Sequence, residues 1–293
     1  LSLHDALPIL LLVDETHRLP KRKNISWMGE FDKCCRKLNM KPETTNTLDW
    51  IVKSSKHRIL FYDKEQSIKA SDISPEEFAN SLSKTKIKEY TLTSQMRCEG
   101  GKLYIDYLDK ILKCTVNSKE QIQNYDIKVF VDPNEMINSI KELNEKFGLC
   151  RNVAGYAWEW KTKGKSLEEI KSEGLYDIKL GNKTYPWNMT NKEWILRKES
   201  INEIGCIHTT QGYDLNYVGV ILGKEIDYDP INNQILIYPD NFYDTNVKKG
   251  SSPEELKRYI INSYKVMMER GIKGCYIYAC NKNMNEYLKK YFN

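Results

Sequence analysis

Short apolar runs that stop abruptly at polar residues recur along the whole chain, and helical stretches lie between them. "ILLLVD" (9–14), "RILFYD" (58–63) and "YTLTSQMR" (90–97) come first. "IKVFVD" (127–132), "NVAGYAW" (152–158), "VGVILG" (218–223) and "GCYIYAC" (274–280) follow. Each run has strand length and is bounded by polar or turn residues, the pattern of a buried strand. The intervening segments carry helix punctuation. "SPEEFANSLS" offers Ser74 as N-cap, Pro75 in the first turn and Glu77 three residues on, which is a capping box. "DPNEMINSIKELNEKFG" starts at Asp132 and Pro133 and stops near Gly148, a helix with both ends marked. "SSPEELKRYIINSYKVMMERG" repeats the device with Ser252, Pro253 and Glu255, and places Leu256, Tyr259, Ile260 and Met267 on one face. Strands alternating with helices specify an α/β fold with a mostly parallel sheet.

At 293 residues with 40% hydrophobic and 29% charged side chains, the chain suits one large or two medium soluble domains. No apolar run approaches the roughly 20 residues of a membrane helix. His4 and Asp5 interrupt the start, so it does not read as a signal peptide. A formal charge of +5 permits nucleic-acid binding without arguing for it. Eight scattered cysteines make no C-x-x-C pair, and with four histidines no zinc spacing arises. They read as reduced thiols of a cytoplasmic protein. "LSLHDALP" has no clear pattern, and residues 1–8 are read as foreign to the domain. A boundary is expected near residue 97. A tryptophan-bearing insertion with Trp158, Trp160, Trp187 and Trp194 is expected over about 158–203.

The first run ends on Asp14 and Glu15. In parallel α/β sheets, ligands bind outside the carboxyl ends of strands. Adjacent carboxylates there divide two tasks: one orients magnesium, usually through water, and the other takes a proton from an attacking water. That is the division seen in P-loop NTPases. A solvated acidic turn explains the pair equally well when it is taken alone. Further polar clusters follow at strand ends. Asp63 and Gln66 stand in D-x-x-Q spacing, and Gln95 and Arg97 come next. Gln211, Gly212 and Asp214 then precede a strand, and Arg270 ends a helix before another strand.

In this order, the pieces resemble the motifs of superfamily 1 helicases. Asp14 and Glu15 match motif II. Asp63 and Gln66 match motif III, with Tyr62 where glycine is usual. Gln95 and Arg97 match motif IV. Gln211, Gly212 and Asp214 match motif V. Arg270 matches motif VI, with Glu269 in place of threonine. "IHTTQGYDLNYVGVILG", "KGCYIY" and the "AGYAWEW" element of residues 154–160 narrow the resemblance to a bacterial helicase-like family grouped with the Schlafen helicase domain, from about residue 10 onward.

The resemblance implies two RecA-like parallel-sheet domains, an incomplete first one over 1–97 and a second over 98–293 that carries the insertion. It implies ATP and Mg2+ as ligands and single-stranded DNA or RNA as partner. Asp14 would hold the metal, Glu15 would position and deprotonate water, and Gln66 would sense the γ-phosphate. Arg97 and Arg270 would act as arginine fingers, because a guanidinium stays charged and grips phosphate oxygens in a fork. Asp63, Gln95, Gln211, Gly212 and Asp214 would line the nucleotide site, with Gln211 and Asp214 linking it to nucleic acid. His17 reads as a packing or coupling residue and His208 as the start of the motif V turn. The tryptophans read as core rather than as a base-stacking platform, and Lys161, Lys163 and Lys165 as a solvated run. No G-x-x-x-x-G-K-S/T occurs, so the chain is expected to begin after its phosphate cradle, to bind ATP weakly and to be inactive by itself. The parent is read as an ATP-driven helicase or translocase. The alternatives are a nucleotide-driven switch, acting with a fused or associated nuclease, and an inactive scaffold.

Overall fold

Two units make up the chain: Leu1–Thr91 with Asn246–Asn262, and Leu92–Thr245 with Ser263–Asn293. The computed structural model describes residues 10–63, 66–67, 69, 71–92, 97–190, 192–210 and 212–293, with only the backbone at Leu167 and Lys171.

In the first unit, the opening apolar run forms β1 (Leu10–Val13), and the second run forms β2 (His57–Leu60). They pair in parallel, Leu10 opposite His57 and Val13 opposite Leu60. Around them stand α1 (Met28–Lys37), α2 (Thr47–Ser54) and α3 (Pro75–Leu82). The capping box expected at Ser74 and Glu77 is present. Asn46 and Asp49 cap α2 in the same way. Each satisfies amides that the first helical turn leaves without partners. The caps aim α2 and α3 at a small core of Leu48, Ile73 and Leu82, with Leu60 and Phe78 packed against it.

The second unit is built on a five-stranded, all-parallel sheet in the order β3-β11-β8-β4-β7. The strands are β3 (Asp126–Val129), β4 (Cys150–Ala154), β7 (Ile204–Gly205), β8 (Leu215–Leu222) and β11 (Gly271–Ala279). Central β8 is apolar on both faces, and Val218, Val220, Ile221 and Leu222 are all completely buried, as a strand covered by helices requires. The helices of this unit are α4 (Gly101–Leu112), α5 (Pro133–Phe147), α6 (Leu167–Glu173) and α9 (Lys282–Phe292), while α7 (Thr245–Lys249), past its first residue, and the first turns of α8 (Pro253–Met268) fall within residues 246–262 of the first unit and the last turns of α8 within the second. α5 ends at Gly148 with φ of 69°, the left-handed turn that favours glycine. The expected face of α8, Leu256, Tyr259, Ile260 and Met267, is buried. Two antiparallel hairpins, β5 (Ile178–Leu180) with β6 (Lys183–Tyr185) and β9 (Ile226–Asp229) with β10 (Gln234–Ile237), complete the set.

One expected strand is corrected. Residues 90–92 of "YTLTSQMR" have no strand partner, and Tyr90 and Leu92 are largely exposed. With its apolar side chains in water, the stretch has nothing to bury against a sheet. Positions 93–96 lie outside the described residues.

The insertion shares the core of the sheet: its Ile178, Leu180, Tyr185 and Trp187 pack in one cluster with Phe130, Met136, Ile137 and Ile221. Trp187 and Trp194 are fully buried, and Trp158 and Trp160 pack part-buried against the same cluster as Trp187. Buried Asp177 ties the insertion together. Its carboxylate accepts the Thr162 amide at 2.9 Å, the Thr162 hydroxyl at 2.5 Å and the Trp187 amide at 2.9 Å. Lys161 and Lys165 stand beside Glu159 and Glu173. The eight cysteines form no disulfide. Among the described residues, no helix is long and apolar enough to cross a membrane.

Candidate functional site

At the carboxyl end of β1 the chain makes a tight turn. Glu15 adopts the left-handed conformation, φ 50° and ψ 41°, which costs a non-glycine residue of order 1 kcal/mol or more. The turn is held from both sides: the Thr16 amide donates to Phe61 O at 2.8 Å, and the Phe61 amide donates to Val13 O at 2.9 Å. Asp14 is exposed, and its Oδ1 accepts the Glu15 amide at 2.9 Å.

His17, nearly fully buried, joins this turn to the next strand end. Its Nδ1 accepts the Asp63 amide at 3.2 Å. With Nδ1 accepting, the ring proton belongs on Nε2, and Nε2 lies 2.8 Å from Glu15 Oε2 in a close polar contact. Arg18 Nε stands 3.4 Å from the same oxygen. The chain of contacts continues from Asp63 to Gln66, whose amide nitrogen donates to Asp63 Oδ2 at 2.9 Å. So His17 touches two of the expected site residues, Glu15 at its carboxylate and Asp63 at its amide, and Asp14 and Gln66 join through those two. Tyr62, where the resembling family has glycine, stacks on Phe78 with ring centroids 3.9 Å apart and meets His17 edge-on at 6.4 Å. Burial pushes its hydroxyl pKa up, with Asp63 adding to the effect. The departure from the motif is thus a packing residue that steadies the His17 side of the turn.

In the second unit, Arg97, Asp214 and Arg270 lie together at the amino edge of the sheet. Asp214 immediately precedes β8 and Arg270 immediately precedes β11. The Glu99 amide donates to Ile272 O at 2.8 Å and docks the Arg97 turn onto the start of β11. Arg97 Nε is 2.6 Å from Asp214 Oδ1. Both groups are part-exposed, so the pair contributes only about 0–1 kcal/mol and an anion can displace it at little cost. Arg270 is buried, and its Nη1 donates to Tyr213 O at 3.5 Å. Gly212 has φ of +80°, a turn that a side chain would strain. Buried Glu269, in the place of the motif's threonine, adds its charge to the burial that pushes Cys98 up. Gln95 and Gln211 lie outside the described residues.

His208 is not at this edge. It follows β7 and meets Tyr156 edge-on at 6.1 Å. The neighbouring loop is closed by Thr209, whose hydroxyl both accepts the Cys206 amide and donates to Cys206 O, each at 2.8 Å.

The geometry gives each carboxylate of the first turn a distinct chemistry. Glu15 has its carboxylate held 2.8 Å from the ring Nε2 of His17, as an oriented proton acceptor requires. Asp14 projects into solvent as a single hard oxygen ligand. Among the described residues, no group of three or more His, Cys, Asp or Glu side chains could enclose a metal ion. Asp14 therefore fits a magnesium ion that keeps water and phosphate oxygens in most of its positions, and does not fit a cation held by protein alone. The sequence places His17 as a packing or coupling residue near Asp14, and the structure adds that it reaches the Asp63 amide. The only signal of that reach was a histidine two residues after an acid pair.

The sequence pattern of the family described as "Schlafen group 3, DNA/RNA helicase domain" matches residues 4–281. The chain belongs to this family. It is also similar to an uncharacterized protein of Saccharomyces cerevisiae, with 29% identity over 309 aligned positions that cover 95% of this chain and 64% of the relative. The chain thus spans slightly under two thirds of that relative's length.

Proposed function

We propose that this chain serves a protein that hydrolyses ATP in step with binding single-stranded DNA or RNA. In this reading both units are RecA-like, and the protein works in the cytoplasm. One observation carries it: Glu15, strained into a left-handed turn at a strand's carboxyl end, with its carboxylate aimed by His17 and linked through Asp63 to Gln66. A carboxylate used only for solubility needs neither the strain nor the buried histidine. Strain of this kind persists where surrounding structure over-determines it, and such places cluster at functional sites.

Hydrolysis of a phosphoanhydride asks for positioning and charge neutralisation rather than covalent help. Glu15 orients the attacking water and accepts its proton. His17 keeps that carboxylate in one rotamer. Gln66, now bonded to Asp63, exchanges that bond for one to the terminal phosphate or to the attacking water. Asp14 would contribute the protein's oxygen to magnesium, which supplies positive charge against the phosphates. In the second unit, Arg97 and Arg270 are the fixed positive charges suited to phosphate oxygens, and Arg97 would leave Asp214 to bind them. Such an arginine is worth roughly 10³ to 10⁵ in rate.

The test is ATP turnover by the full-length protein, with and without single-stranded DNA and RNA. Stimulation that Glu15→Gln abolishes supports a motor. Turnover that ignores nucleic acid favours a nucleotide-driven switch. No magnesium-dependent turnover under either condition sinks the proposal.

A further inference from the structure

We propose that Glu225 is a positioning residue: through Tyr264 it fastens the carboxyl end of β8 to helix α8, and so sets the stance of Arg270 at that helix's end. The inference rests on the reading of Arg270 given above, and it concerns groups to which that reading assigns no role.

Glu225 and Tyr264 are both completely buried, the carboxylic side chain with no cation bonded to it among the described residues. The Tyr264 hydroxyl donates to Glu225 Oε1 and accepts the Gly223 amide at 3.0 Å. One phenol therefore holds both the backbone and the side chain of the segment that leaves β8. Tyr264 lies six residues before Arg270, less than two helical turns. The opposite end of β8 holds Arg270 itself: the Leu215 amide donates to Arg270 O at 3.0 Å, and Arg270 Nη1 reaches Tyr213 O. The last turns of α8 are thus pinned to both ends of one strand.

The chain leaves room for this link by omitting side chains. A Cβ at Gly155 would collide with the Tyr264 hydroxyl and stand 3.1 Å from Glu225 Oε1. A Cβ at Gly223 would collide with Ala157 and with Glu225 Oε2. Two glycines on two strand ends admit one tyrosine–glutamate pair, whereas an ordinary core position would be filled by an aliphatic side chain at no polar cost.

The pair is also unbalanced. Glu225 Oε2 has no hydrogen-bond partner among the described residues. The titratable and charged groups around it are Tyr264 on α8, Cys280 after β11 and the adjacent, exposed Lys224. Burial pushes the Glu225 carboxyl up from 4.5 to about 7, against the opposing pull of the Tyr264 hydrogen bond. Burial, with the Glu225 charge second, pushes the Cys280 thiol up to about 12. Because the folded value lies above the unfolded one, stability from this group is complete below about pH 4.5 and is lost as pH rises through about 7. The fold around the lock is most stable when Glu225 carries its proton and is weakened by the burial of its charge as it ionises.

The experiment uses the full-length protein with Glu225→Gln, Tyr264→Phe, Arg270→Lys and the Tyr264→Phe/Arg270→Lys double variant. Thermal melting between pH 5.5 and 8 comes first. The wild type should lose melting temperature toward pH 8, and Glu225→Gln, which keeps an acceptor for Tyr264 and cannot ionise, should lose less. An equal loss in both overturns the buried, titrating lock. ATP turnover comes second. Tyr264→Phe should lower kcat about tenfold, the size of one lost buried hydrogen bond, with KM little changed. The double variant should be no slower than Arg270→Lys alone. The wild-type rate should also step down near pH 7, a step that Glu225→Gln removes. A purely structural role predicts multiplying losses in the double variant and no difference in pH profile, and either result overturns the positioning role. Wild type that melts as expected but never hydrolyses ATP overturns the nucleotide reading of Arg270, a failure distinct from additivity.

Discussion

β1 and β2 of the first unit and β4 and β8 of the second are all parallel strands written in apolar residues, yet they are covered very differently. β4 is buried at every position, and β8 at all but one. In the first unit each strand alternates between exposed and half-buried residues. Leu10, Leu12, Ile59 and Phe61 leave 52%, 64%, 46% and 46% of their surface in water. Parallel strands are normally buried on both faces, and "LLLV" is a sequence suited to that state. Only one face of the ribbon, the side of Leu60, reaches a core. The expected acid pair thus stands on the less buttressed platform, and its geometry is enforced locally, by His17 and the crossed amides of Thr16 and Phe61. The amino-edge cluster of Arg97, Asp214 and Arg270 has a continuous sheet behind it.

This contrast can be broken at several points. The largest effect is expected at the acid turn: Glu15→Gln should lower ATP turnover of the full-length protein by about 10² to 10⁴ without moving its melting temperature by more than a degree or two. A comparable loss of stability would show that Glu15 is structural. Trp187→Ala, which empties a fully buried site of the second unit, should cost about 3–5 kcal/mol in denaturant unfolding. A cost under about 1 kcal/mol would mean that the insertion packs loosely on the sheet. His17→Ala should lower turnover about tenfold or more by freeing Glu15, with nucleotide affinity nearly unchanged. A loss confined to affinity would deny it the role of holding Glu15. Leu12→Ser should be within about 0.5 kcal/mol of neutral. A cost above about 1 kcal/mol in the full-length protein would show that this face is covered there. Hydrogen exchange sharpens the same point: amides of β1 and β2 should exchange well before those of β4 and β8.

Much of the fold was legible because its signals are local. Ser74 with Glu77 and Ser252 with Glu255 are contacts three residues apart, Asp132 and Gly148 mark the two ends of α5 by turns of their own, and all are realised. The strand reading of residues 90–92 failed because apolar character alone does not supply a neighbour to pair with. The candidate site was half legible. The acid pair and the D-x-x-Q turn announce themselves by position, but His17 is defined by a bond to an amide 46 residues away. Glu225 gave no sequence signal, since an acid three residues past a strand is most often solvated.

Composition and periodicity by themselves determined that this chain alternates strands with capped helices and sets its acids and arginines at element ends, because those features follow from backbone hydrogen bonding and side-chain spacing within a single element. Only the tertiary structure decided that β11 lies between β3 and β8, that Arg97 meets Asp214, and that one tyrosine ties Glu225 to the helix of Arg270. Each of those pairings joins residues far apart in the chain, and their energy comes from burial and close contact that no local pattern encodes.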